Sequence, residues 1–222
     1  MITRSFFIEE LELKYFVGIT QIKFDLSQLL KDNEIRNEED VLNWLFLTIE
    51  DLQIKHPEST IQFISDEYVL NQDHLYVASY FMEKAFLNKN NISNKKNIEL
   101  LLYLSTNRQI SRAIESFGIS KNTIKEEKLT ICIISQINNL NIIIKEILDS
   151  LKANEVKITV NDLTIDKINR IISKFEISET QIKSVHNSYK ESDELDKENN
   201  IDILSLVIFD LICEKMAILH LE

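Results

Sequence analysis

The stretch Leu129-Thr130-Ile131-Cys132-Ile133-Ile134 decides the fold. It is short, almost wholly apolar and rich in β-branched residues, which is the signature of a central strand. Working outward, Ile61-Gln62-Phe63-Ile64 reads as a second short strand. Residues Ile2 to Thr20 alternate around Phe6, Ile8, Leu11, Leu13 and Phe16, predicting one or two more, with Gly18 at a bulge or a close backbone approach. Another strand is expected at Val156 to Val160. Helical spacing fills the intervals. Asn37-Glu38-Glu39-Asp40 opens a helix carrying Val41, Leu42, Leu45, Ile49 and Leu52, with Trp44 near that stripe and Pro57 as its stop. Asn71 to Asp73 offers N-caps for a helix with Leu75, Ala78, Met82, Ala85 and Phe86 on one face. Asn141 to Lys152, Ile165 to Phe175 and Ile201 to Leu221 follow the same period, while 88–97 reads as a polar loop and 188–200 as a charged, flexible segment. Together these predict an α+β fold, a small mixed or antiparallel β-sheet flanked by α-helices. The expected organisation is one domain over 1–222, with a helix inserted at about 26–60.

Composition sets the class. The chain has 222 residues, of which 44% are hydrophobic and 27% charged, and it can bury a core. With only Gly18 and Gly118 available, Asn is expected to serve at turns and helix ends. The N-terminus lacks the apolar run of a signal peptide and no segment has the length of a membrane span, so a soluble, cytoplasmic protein is expected. Cys132 and Cys213 lie in apolar runs and read as buried reduced thiols; no metal-ligand spacing is present.

The net charge of -11 argues against a general nucleic-acid binder, yet it is unevenly distributed. Between Lys84 and Lys125, eight cations (Lys84, Lys89, Lys95, Lys96, Arg108, Arg112, Lys121, Lys125) face Glu99 and Glu115, so this window is +6 and the remainder -17. Inside it, Ile98 to Ser105 and Arg108 to Phe117 read as two helices broken at Thr106-Asn107, with Gly118 in the place of a C-cap glycine. The second helix divides into an apolar face, Ile110, Ala113, Ile114 and Phe117, and a wet stripe, Arg108, Ser111, Arg112 and Glu115. Free amides at its N-terminus beside Arg108 suit a phosphate. An ordinary solvated first turn is the competing reading. Tyr103 and Phe117 are candidate stacking surfaces for unpaired bases, although the helical spacing of Phe117 favours the core.

The run Glu99-Leu100-Leu101-Leu102-Tyr103-Leu104-Ser105, then Arg108-Gln109-Ile110, Ala113-Ile114 and Phe117-Gly118-Ile119, resembles the small kinase-binding subunits of the KEOPS/EKC tRNA-modification complex, the TPRKB-like family. Phe63 to Val69, His74-Leu75 with Ala78, the strand after Lys128 and Glu214 to Leu219 agree with it. Two departures stand out. Thr106-Asn107 replaces the family's usual glycine, and Asp25 to Thr60 is longer than its normal connection.

The resemblance implies a subunit without a catalytic centre, acting where threonylcarbamoyladenosine is made next to the tRNA anticodon. It would bind the atypical protein kinase subunit and hold the single-stranded CCA end of tRNA, with no cofactor, metal, small-molecule substrate or membrane. The implied tRNA contacts are Arg108, Gln109, Ile110, Arg112, His74, Lys95 and Lys96. A lone His at a helix start is as often a solvent-facing or capping residue. In the C-terminal helix, Ile203, Leu204, Leu206, Val207, Ile208, Phe209, Leu211 and Ile212 wrap nearly all round, so it is either buried or docked on a partner. The resemblance favours docking of the kinase through Leu75, Leu204, Val207, Ile208 and Leu211. A protein-protein adaptor of the same complex without RNA binding is the alternative that the acidity suggests. An enzyme is disfavoured, since Gly-rich phosphate loops, nucleophile elbows and His-Glu metal patterns are all missing and Asp66-Glu67 and Glu126-Glu127 are merely sequential carboxylates.

Overall fold

A computed structural model describes residues 1–32, 37–190 and 200–221. Its described strands, β1 (Ile2–Ile8), β2 (Leu13–Lys23), β3 (Ser59–Ile64), β4 (Lys128–Ser135) and β5 (Asn154–Val156), form one antiparallel sheet in the order β1-β2-β4-β3. β1 covers Leu13 to Ile19 of β2, and β5 pairs with Gln21 to Lys23 further along the same strand. β4 is central as expected, with Cys132 opposite Ile19 and Ile133 opposite Ile61. Pairing runs unbroken through Gly18. A side chain there would meet Met1 Sδ at 2.8 Å, so this glycine serves a close approach and not a bulge.

The helices are α1 (Leu26–Asp32), α2 (Glu38–Lys55), α3 (Gln72–Asn88), α4 (Lys96–Ser105), α5 (Ile110–Phe117), α6 (Lys121–Lys125), α7 (Leu140–Leu151), α8 (Ile165–Lys174), α9 (Glu179–Lys190) and α10 (Asn200–Ile218). They cover both faces of the sheet. Tyr15, Val17, Ile19, Cys132 and Ile134 point into a core shared with α3, α4, α5, α8 and α10. Ile22, Ile61, Phe63, Ile131 and Ile133 point into a second core closed by α2 and α7. Burial from both sides is why β4 has no polar face to alternate with.

The inserted segment supplies α2, which packs Val41, Leu45, Ile49 and Leu52 inward while Trp44 stays partly buried. Asn37 caps this helix by accepting from the Glu39 and Asp40 amides, and Asn71 caps α3 by accepting from the His74 amide. Left-handed backbone, by contrast, falls on Glu12, Lys89, Thr106, Glu127, Lys152 and Glu176 among the described residues, not on Asn or Gly. Asn works here where its side-chain oxygen can accept an amide. The exposed helix ends tolerate a long charged chain at a cost of about 1–2 kcal/mol.

Several boundaries move. The fifth strand ends at Val156 instead of reaching Val160, because the Thr159 amide turns to donate to the Gln21 side chain at 2.6 Å. Three helices, α1, α6 and α9, have no counterpart among those the periodicity predicts. Of the segment expected to be flexible, 191–199 lies outside the described residues.

The outer edge of β3 has a specific guard. Gln53 on α2 donates to the Ser59 carbonyl and accepts from the Ile61 amide at 3.1 Å. One side-chain amide thus occupies the two backbone groups a neighbouring strand would use.

Candidate nucleic-acid interface

The two-helix element forms as the sequence predicts, with the first helix starting two residues earlier than expected and the second two residues later. α4 buries Glu99 through Ser105 on nearly every side. The Glu99 carboxylate accepts from the Ile92 and Ser93 amides, at 3.1 and 2.7 Å, and so pins the polar loop before the helix. Burial pushes its pKa up, offset by those amides and by the Arg108 charge.

At the break, Thr106 takes the left-handed conformation (φ 47°) that a glycine would occupy at less cost. The Asn107 amide returns to the Leu102 carbonyl at 3.2 Å, and the Asn107 side chain accepts from the Gln109 amide at 2.9 Å. A tight turn is thus made here without glycine.

α5 begins at Ile110 with Gln109 as its N-cap, and no cap side chain accepts from its first amides. The Ala113 amide is the first to bond back into the helix, to the Gln109 carbonyl at 3.0 Å. The amides of Ile110, Ser111 and Arg112 thus lead an exposed N-terminus, where the helix dipole favours an anion. Ala113 and Phe117 are buried, whereas Ile110 and Ile114 remain substantially exposed. Gly118 closes the helix at φ -74°, not in the left-handed form expected of it. Its role is steric, since a Cβ would lie 2.5 Å from the Ile114 carbonyl oxygen.

The expected contact residues do not form one patch. Arg108 and Arg112 are exposed with Gln109 and Ile110, but the Arg108 guanidinium already donates to the Leu219 carbonyl at 2.8 Å. Lys95 and Lys96 stand at the opposite end of α4, about 15 Å away at ~1.5 Å per residue. Lys95 pairs with Glu50 at 3.4 Å, and Lys96 with the buried Glu83 carboxylate at 2.6 Å. Lys84 and Lys121 are likewise paired, with Glu10 and Glu39. Much of the +6 window is therefore neutralised by acids that the fold brings from outside it.

His74 corrects the base-contact expectation. It is fully buried, accepting from the Leu70 amide through Nδ1 at 3.2 Å and facing the Leu104 carbonyl with Nε2 at 3.1 Å. An amide on one nitrogen and a carbonyl on the other fix a neutral ring protonated at Nε2. Burial drives its pKa down to about 4. The ring packs edge-on against Phe117 and Phe175, so this histidine ties α3 to α4 and α5.

Leu75, Val207, Ile208 and Leu211 are also core residues, and Leu204 is half-buried against the same core. α10 is apolar nearly all round because α3, α8 and α9 pack against it. Its outward residues include Leu206, 44% exposed, and Ile218, 40% exposed.

A model of one protein family, described as kinase binding protein CGI-121, matches residues 33–219. The chain belongs to this family. In this CGI-121 family member the match spans the whole of the inserted helix α2, the two-helix element and α10. No curated protein matches the chain. Among the described residues, no group of three or more His, Cys, Asp or Glu could hold a metal, and no helix is long and apolar enough to cross a membrane.

Sequence reading missed a second set of cations. Lys167, Arg170 and Lys174 recur at helical spacing on α8, flanking the buried Ile168 and Ile171. That signal lay in the periodicity, outside the window chosen for its charge.

Proposed function

We propose that this CGI-121 family member is a non-catalytic accessory subunit of a KEOPS-type complex, one that binds the kinase subunit and presents tRNA by its 3' end. The observation carrying the reading is the family match across 33–219. The bare N-terminus of α5 supports the RNA part: three outward amides, Arg112 beside them, and exposed Ile110 and Gln109 for the face of an unpaired base. His74 is left out of this interface because it is buried, and Lys96 because it is paired with the buried Glu83 carboxylate.

Affinity for intact tRNA and for tRNA lacking its CCA end, titrated across salt, tests the RNA claim. The wild type is expected to prefer the intact form, and Arg112→Ala to erase that preference. Equal, negligible binding of both forms would overturn it and leave an adaptor without RNA binding.

The kinase docks, in this proposal, on the outward side of α10. Leu206→Arg should abolish co-purification of the kinase with unchanged thermal stability, whereas Val207→Arg, a charge in the core, should unfold the chain at a cost above about 4 kcal/mol. Retention of the kinase by folded Leu206→Arg would move the dock elsewhere.

A further inference from the structure

Lys128, Lys167, Arg170 and Lys174 converge at one end of the sheet, although they come from β4 and α8 and the chain as a whole is strongly acidic. Burial lowers the Lys167 pKa against the opposing charge of Asp66, and the like charges of Lys128 and Arg170 lower it further. Its ammonium donates to the Val160 carbonyl at 3.1 Å. Among the described residues, the ion pair within this group is Lys128 with Asp66 at 3.4 Å, and that same carboxylate also accepts from Gln21 at 2.6 Å. Asp162 stands near Lys167, and Glu67 beside the Tyr68 hydroxyl. Lys84, Lys95, Lys96 and Lys121 of the +6 window each have an acid at ion-pair distance, whereas among the described residues Lys167, Arg170 and Lys174 are held together with none.

This cluster is continuous with α5. Lys174 donates to the Ser116 hydroxyl, which in turn donates to the Arg112 carbonyl one turn back at 2.7 Å. The Lys174 ammonium also lies 5.6 Å over the half-buried ring of Tyr68. Lys174, Arg170 and Lys167 therefore form a row along α8 that begins beside Ser116 of α5, with the Tyr68 ring next to Lys174. Residues 167 and 174 are about 10 Å apart along the axis at ~1.5 Å per residue.

We infer that the α8 row, Lys167, Arg170 and Lys174, is a track for the phosphate backbone of RNA leading away from the end held at α5. This rests on the RNA reading above and adds to it a second, sequence-independent contact. A row of cations beside one aromatic suits a chain of phosphates with stackable bases. Mutual repulsion among these side chains is relieved when an anion arrives.

Titration of the full chain with intact and CCA-less tRNA at several salt concentrations, using Arg170→Gln, Lys174→Gln and the pair, tests this. Glutamine keeps a donor for Ser116, and circular dichroism checks the fold. Each lost contact should lower the slope of log affinity against log salt by roughly 0.7–0.9, which is about fivefold in affinity near 0.1 M salt. Both tRNA forms should weaken by the same factor, so their ratio stays that of the wild type, and Arg170→Lys should retain binding. Wild-type affinity and slope in the paired variant would overturn the α8 track; if the preference for intact tRNA persists there, the α5 reading stands alone. Weakening by the α8 variants without any CCA preference in the wild type would keep the track and remove the end-binding site. Absence of measurable wild-type binding to either form overturns both.

Discussion

His74 shows how far a residue's role depends on what surrounds it. On the sequence it heads a helix, where a histidine normally meets solvent; in the fold it is a neutral, doubly hydrogen-bonded spacer among Phe117, Phe175 and the α4 terminus. Its folded pKa of about 4 lies below the unfolded 6.5, so the unfolded chain takes up the proton first as pH falls. Stability from this group is complete above pH 6.5 and is lost between 6.5 and 4, by up to about 3 kcal/mol. Glu83 and Glu99, raised by burial, act in the opposite sense. Comparison with His74→Gln isolates the histidine: urea unfolding should show the wild-type advantage shrinking from pH 7 to pH 4, and parallel curves would refute the assignment. Gly118 gives a second test at this scale. Gly118→Ala drives a methyl into the Ile114 carbonyl and should cost about 1–3 kcal/mol in the same measurement, even though its backbone is not left-handed.

At the scale of elements, the helices that sequence reading placed well are those whose apolar period meets one core, such as α2, α7 and α8. α9 has a polar sequence with few apolar residues, and it packs against α10. α10 was ambiguous for a physical reason. An apolar circumference is the same whether the neighbours are of the same chain or another, and here α3, α8 and α9 supply them. The inserted helix α2 does more than cover the sheet, because Gln53 closes the edge of β3. Gln53→Ala should expose one donor and one acceptor, cost about 1–3 kcal/mol, and raise the tendency to self-associate. Light scattering at increasing concentration reads the last effect; a variant that stays monomeric while destabilised would show that α2 shields the edge by bulk alone.

Across the whole molecule, charge is arranged by tertiary pairing more than by position in the chain. Lys95 illustrates this: it belongs to the basic window, yet it pairs with Glu50 on the inserted helix, far from Arg112. Lys95→Ala is expected to change tRNA affinity by less than about twofold, and a loss as large as that of Arg112→Ala would place it in the interface. Exposed pairs of this kind contribute little to stability, so the prediction concerns where positive potential remains. By itself the sequence determined most of the helix-strand pattern, the centrality of β4, the cap at Asn71, and the two-helix element with Arg112 on its wet side. These depend on neighbours in the chain, whose spacing is set by backbone geometry. Only the tertiary structure decided that His74, Leu75 and Val207 are core, that Lys84, Lys95, Lys96 and Lys121 of the basic window are met by acids from outside it, and that α8 lines up its cations beside α5. Those outcomes depend on which surfaces are brought within a few ångströms, and Coulomb and packing forces act on that distance, not on separation along the chain.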